Sequence, residues 1–181
     1  MLKLKLILEG PDGSGKSTLA EYLRMTYQIT PSHSSGPSKT AAAFRKRLKD
    51  FQAIKAPAIC DRNPAISEII YGTLLRGKTI VTYPSLLSSM YSDDRQYTLY
   101  IYCCPPLELL MGKEVFEKAW KKKEHCDAVT EKRLEIIRTY EAFLPFIKRK
   151  YRVLCSNWSC DAKWVVDCIN KIQTGPAFKN V

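Results

Sequence analysis

Two periodicities alternate along the chain. Residues 2–9 are a short apolar-rich run ending in Gly10, the pattern of a strand entering a tight loop. Residues 17–27 change to helical spacing, with Leu19, Tyr22, Leu23 and Tyr27 in one stripe. A second short strand is expected to end near Thr30, and residues 31–38, rich in Pro, Ser and Gly, read as a loop. Residues 39–55 are amphipathic: Phe44, Leu48 and Phe51 form the apolar stripe, and Arg45, Lys46, Arg47 and Lys49 lie off it. Residues 56–60 read as a strand, and residues 64–75 as a helix with Pro64 in its first turn. Residues 97–104 are the most strand-like run in the chain, stopped by Pro105 and Pro106. Helices are expected over 107–122 and 129–148 with a polar, lysine-rich junction between them. A last strand over 152–155 and a closing helix over 162–172 complete the pattern. Alternating strands and helices predict an α/β domain of three layers, a five-stranded parallel sheet flanked by helices. No repeat or linker divides residues 1–181, so one domain is expected.

Composition narrows the class without deciding it. The 181 residues are 45% hydrophobic and 26% charged, as in soluble globular proteins, and no apolar run approaches the roughly 18 residues of a membrane span. Lys3 and Lys5 interrupt the apolar N-terminal run, so it does not read as a signal peptide, and an intracellular, cytoplasmic location is expected. The seven cysteines form no C-x-x-C pair, and His33 and His125 show no metal-ligand spacing. Free thiols in a reducing compartment follow. The net charge of +11 points to a phosphate-rich partner, a nucleotide or a nucleic acid such as DNA, and not to a membrane. Oligomeric state stays open, with a homodimer among the options.

One motif carries specific chemistry. Gly10, Gly15, Lys16 and Ser17 match G-x-x-x-x-G-K-[ST], with a strand before and a helix after. Glycines let backbone N–H groups turn toward phosphate oxygens, and the helix N-terminus adds positive potential. Lys16 is expected to bridge the β- and γ-phosphates of ATP, Ser17 to hold Mg²⁺ and Thr18 to reach the α-phosphate, with Gly13 and Ser14 completing the loop. A D-x-x-G switch appears only inside this loop, at Asp12–Gly15. N-K-x-D is absent, and no strand ends in an Asp-Glu pair. GTPases and motor ATPases are thereby set aside, leaving a small-molecule or nucleotide kinase.

Leu8 to Thr18, with Asp12 inside the loop, closely resembles the phosphate loop of thymidylate kinases. Cys60 to Glu68, containing Asp61-Arg62, resembles their Asp-Arg motif in the variant of phage-encoded kinases, and Asp127, Ala128, Val129, Ile136 and Tyr140 resemble the helix after their lid. The resemblance implies a P-loop kinase fold with ATP and Mg²⁺, and a lid at about residues 112–127. It also implies catalytic roles. Asp12 would contact an acceptor sugar hydroxyl, and Asp61 would hold a Mg²⁺-bound water or orient the attacking oxygen. Arg62 would grip an acceptor phosphate, a task suited to a guanidinium fork. The sequence departs from that family at three places. Ser34 to Thr40 replaces an Arg-Glu-Pro-Gly-Gly-Thr segment, Gly13 supplies no loop arginine, and the lid region carries Lys113, Lys118, Lys121, Lys122 and Lys123. Kinase chemistry survives these differences and the acceptor is left open. The options are a deoxynucleoside monophosphate, a hydroxyl within a polymer such as a hydroxymethylpyrimidine in DNA, or nucleotide binding without transfer. His33, Tyr71, Trp120, Tyr140 and Asn157 are secondary candidates for substrate contact.

Overall fold

Side chains alternate faithfully across the central strands, and this alternation builds the two cores of the molecule. In β1 (Lys5–Glu9), Leu6 and Leu8 face one side with Ile59, Leu99, Ile101 and Cys103, while Ile7 faces the other with Cys60, Tyr100 and Tyr102. The computed structural model describes residues 1–33, 38–111, 123–156 and 162–175. Helix α1 (Lys16–Tyr27) covers the first face through Leu19, Ala20 and Leu23. The second face is covered by α2 (Ala41–Ala53), by α3 (Pro64–Ser67) with the π-helical turn Glu68–Gly72 and α4 (Thr73–Arg76), and by α5 (Tyr83–Met90). Each Leu or Ile fully buried this way contributes about 1.5–3 kcal/mol.

The sheet has the order β2-β3-β1-β4-β5, with every pairing parallel. Its other strands are β2 (Ser32–His33), β3 (Ala58–Asp61), β4 (Thr98–Cys103) and β5 (Arg152–Ser156). After β4 come α6 (Leu107–Met111), α7 (Lys123–Glu131) and α8 (Arg133–Lys148), and α9 (Ala162–Thr174) follows β5. The expected five-stranded parallel sheet flanked by helices is therefore present. With β1 central and the chain reversing direction of winding beside it, the C-terminal ends of β1, β3 and β4 form the crevice where ligands bind in such sheets.

Three local expectations need correction. The second strand does not end near Thr30: Gln28 (φ 56°) caps α1 in the left-handed region, so the strand forms later, where Ser32 and His33 pair with Cys60 and Asp61. The lysine-rich junction expected before residue 129 is helical from Lys123, and the break falls instead at Lys132, between α7 and α8. Helix α5 was not anticipated, because Pro84 and the surrounding serines resemble a turn; Leu86 and Met90 nevertheless give it a fully buried stripe. The part of the predicted 107–122 helix beyond Met111 lies outside the described residues.

Lys5, which interrupts the apolar run at the N-terminus, is itself in the core. Its Nζ donates to Asp93 Oδ1 at 2.6 Å and to the Phe51 carbonyl at 3.2 Å, and lies 4.0 Å from the Phe51 ring centroid. The pair is almost wholly removed from water. Losing one member strands a buried charge, which costs about 3–5 kcal/mol, whereas an apolar replacement of both is often neutral. Asp93→Ala should lose about that much in urea denaturation, and Lys5→Met/Asp93→Leu should recover most of it. Equal losses in both variants would contradict this assignment.

Candidate active site

The loop between β1 and α1 is pressed against the end of β4. A Cβ on Gly10 (φ +139°) would lie 2.4 Å from the Cys103 carbonyl oxygen and 2.9 Å from Ser14 Oγ, so only glycine fits. Gly15 (φ 81°) is the N-cap of α1 and supplies no side chain to satisfy its first N–H groups. Those donors and the helix dipole face the loop, an arrangement suited to phosphate. Lys16 is buried and folded back, donating to the Pro11 carbonyl at 2.5 Å and to Ser14 Oγ at 3.1 Å. Burial, seconded by the nearby Arg62 charge, pulls its pKa down to about 8. Ser17 and Thr18 are exposed on the first turn of α1. Gly10, Gly13, Ser14, Gly15, Lys16, Ser17 and Thr18 thus come together as one phosphate loop.

Arg62, just past β3, joins this loop to the far side of the sheet. Its backbone is left-handed (φ 76°), and its N–H donates to the Leu8 carbonyl at 3.0 Å. A non-glycine residue there costs on the order of 1–3 kcal/mol and persists where surrounding contacts impose it. Those contacts are visible. Nη2 donates to Asp12 Oδ1 at 2.6 Å, and Nη1 donates to Tyr140 Oη at 2.6 Å and Tyr71 Oη at 3.2 Å. The guanidinium also stands 5.1 Å from the Tyr71 ring centroid. Arg62 therefore pairs with Asp12 and not with its neighbour Asp61. Tyr71 and Tyr140, candidate base-stacking groups, meet edge to face and turn their hydroxyls to Arg62.

Behind Arg62 is a group that the sequence reading did not single out. Glu9 is 1% exposed; its Oε1 accepts from the Asn63 N–H at 2.5 Å and its Oε2 from Tyr140 Oη at 3.4 Å. Asn63 in turn donates to Tyr100 Oη at 2.9 Å and caps α3 through Ala65. Burial raises the Glu9 pKa to about 7 against the pull of Arg62. The available signal was a carboxylate at the end of a strand, directly before the glycine of the phosphate loop.

Asp61 lies at the end of β3, beside the loop. Its Oδ2 accepts from His33 Nδ1–H at 3.1 Å, and its Oδ1 is buried with no hydrogen-bond partner. For Mg²⁺, the Ser17 hydroxyl and this orphan carboxylate oxygen are the hard donors that the ion prefers, with phosphate and water completing its shell. Among the described residues no cluster of three or more His, Cys, Asp or Glu could hold a metal without such help. The residues fit a nucleotide-borne Mg²⁺. Lys113, Lys118, Trp120, Lys121, Lys122 and Asn157 lie outside the described residues, and Lys123 begins α7. A surface depression lined by Glu141, Leu144, Pro145, Lys148 and Arg149 shares no residue with this cluster.

Neither a family model nor a curated protein sequence matches the chain. Solved structures do. The YorR protein from Bacillus subtilis, in complex with phosphorylated GDP, is 17% identical and superposes with a TM-score of 0.64 over 94% of this chain and 98% of its own. The chain has the P-loop kinase fold. Deoxyadenosine kinase from M. mycoides with bound dATP gives 0.58 at 14% identity over 95% of this chain and 100% of its own. Shikimate kinase from Acinetobacter baumannii with shikimate gives 0.56 at 14% identity over 95% and 93%. Two of these neighbours are named as kinases of different compounds, deoxyadenosine and shikimate. No helix among the described residues is long and apolar enough to cross a membrane.

Glu9 makes the site sensitive to pH. Its folded pKa is above the ordinary 4.5, so the folded state holds this proton more tightly than the unfolded chain. Its contribution to stability is complete below about pH 4.5 and is lost as pH rises through about 7. A shift of that size corresponds to roughly 3 kcal/mol. Glu9→Gln should flatten the decline in urea midpoint across this window; an unchanged pH profile in the variant would remove Glu9 as its source.

Proposed function

We propose that this chain is an ATP-dependent phosphotransferase of the nucleotide kinase type, with a deoxynucleoside monophosphate as acceptor. The observation that carries the reading is the Arg62 guanidinium. It is held between Tyr71 and Tyr140 beside the phosphate loop, with one fork nitrogen on the Asp12 carboxylate. A phosphate presents the same anionic oxygen geometry as a carboxylate, with greater charge. The acceptor's phosphate would replace Asp12 on Arg62, freeing Asp12 to accept from the acceptor's sugar hydroxyl. Nucleotide complexes of two fold neighbours, one with phosphorylated GDP and one with dATP, support a nucleotide site.

In this reading the acceptor phosphate oxygen attacks the γ-phosphorus of ATP, the bond to the β,γ-bridging oxygen breaks, and ADP leaves. The protein's share is positioning and charge compensation. Lys16, released from Pro11 and Ser14, moves onto the β- and γ-phosphates, where their charge restores its proton affinity. N–H groups after Gly13 and Gly15 hold the β-phosphate. Ser17 and Asp61 would hold Mg²⁺, which when bound neutralises charge on the transferring phosphates.

Substitutions separate these roles. Lys16→Ala should lower turnover by orders of magnitude in a folded protein. Arg62→Ala should raise the acceptor KM far more than the ATP KM, and Asp61→Asn should lower kcat with modest binding effects. Near-wild-type transfer by folded Lys16→Ala would remove the P-loop mechanism, and identical mild effects at positions 61 and 62 would remove the division of labour.

A second reading, transfer to a hydroxyl within DNA, is favoured by α2. Arg45, Lys46 and Lys49 are exposed there, with Lys39 and Lys55 exposed at its flanks, and the acid Asp50 pairs with Lys46 at 2.8 Å. A protein that neutralises several phosphates loses affinity steeply with salt, with a log–log slope near −0.7 to −0.9 per phosphate. Reversing Arg45, Lys46 and Lys49 to Glu should abolish salt-sensitive DNA binding while sparing activity on a free deoxynucleotide. Wild-type protein with no such binding near physiological ionic strength would exclude the polymer substrate.

A further inference from the structure

The two ends of β2 and β3 place one further side chain at the site. His33 is directly opposite Asp61 in the parallel register of these strands, and its Nδ1 is 3.1 Å from Asp61 Oδ2. A carboxylate can only accept, so the ring nitrogen is the donor, and the bond fixes both the imidazole tautomer and the rotation of the carboxylate. Rotation matters here because the two oxygens of Asp61 differ. Oδ2 is spent on His33, and Oδ1 is buried and has no partner. Asp61 stands in register with Leu8 of β1, two residues before Gly10, which puts this carboxylate at the same sheet end as the phosphate loop. His33 itself keeps about three-fifths of its side chain in solvent, so its bond does not serve core packing.

We propose that His33 is a positioning residue that holds Asp61 with Oδ1 turned toward the divalent cation of the bound nucleotide. The proposal rests on the kinase reading above. A carboxylate free to rotate would present either oxygen or neither, and would lose part of its hold on a cation that demands near-ideal octahedral geometry. Outer partners of ligating groups commonly change metal affinity by about 10–100-fold when removed. The surface position of His33 means that its substitution should leave the fold intact. Asparagine supplies an N–H at a position comparable to imidazole Nδ1, so it is the conservative variant.

The test uses Mn²⁺ as a paramagnetic stand-in, with free ion read by electron paramagnetic resonance in the presence of saturating ADP. His33→Ala should weaken Mn²⁺ binding about tenfold and leave metal-free ADP affinity unchanged; His33→Asn should restore most of the loss. On an Asp61→Asn background, His33→Ala should cost nothing further, since both changes act through one carboxylate. Unchanged Mn²⁺ affinity in His33→Ala overturns the proposal, as does a full additional loss in the double variant. An equal loss of metal-free ADP affinity also overturns it, because a general distortion of the loop would then explain both. Wild-type protein that binds no ADP overturns this proposal together with the reading it rests on, whereas tight ADP binding with indifferent His33 variants leaves the kinase reading standing.

Discussion

A buried guanidinium needs anions and aromatic faces around it, and the arrangement of this site follows from that requirement at Arg62. Asp12 comes from the phosphate loop, Tyr71 from the π-helical turn and Tyr140 from α8, and all three converge on one side chain. The side chain hangs from a strained, left-handed residue tied by its N–H to β1. Three elements distant in sequence are thereby fixed relative to the loop. The cost of the left-handed backbone, on the order of 1–3 kcal/mol, is offset by the charge-assisted bonds of the guanidinium to Asp12, Tyr71 and Tyr140.

The same cluster is arranged for an incoming anion. Burial, seconded by the Arg62 charge, has already brought the Lys16 pKa down to about 8. Glu9 responds in the opposite direction, with its pKa raised to about 7. Phosphate brought to this place would restore Lys16 to full charge and compete with Asp12 for Arg62. The loop is held closed upon itself by the Lys16 bonds to Pro11 and Ser14. Binding energy is thus directed to the exchange of internal partners for phosphate oxygens.

The motif at residues 10–18 was legible because its chemistry is local: glycines, a lysine and a hydroxyl at fixed spacing between a strand and a helix. The sheet was legible for a similar reason, since β1, β3 and β4 are short apolar runs bounded by turn residues. The buried roles of Lys5 and Glu9 were not legible, because their partners, Asp93 and Asn63, are far away in sequence. The Asp61-Arg62 pair was found as a dipeptide, but its division of labour was not. Only tertiary packing turns Arg62 toward Asp12 and Asp61 toward His33. Tyr71 and Tyr140 were visible as aromatics on expected helices, and their use as hydroxyl partners depends on how the π turn and α8 pack beside Arg62, which no local pattern specifies.

The proposed reaction moves a phosphoryl group from ATP onto the phosphate of a deoxynucleotide. Phosphorus-31 magnetic resonance of the protein with Mg²⁺, ATP and each deoxynucleoside monophosphate in turn reads the destination of the γ-phosphate directly. With at least one acceptor, the monophosphate signal should fall as paired α- and β-phosphate signals of a deoxynucleoside diphosphate and of ADP rise together, with little free phosphate. ATP that is left intact by every acceptor, or converted only to ADP and inorganic phosphate, would contradict it.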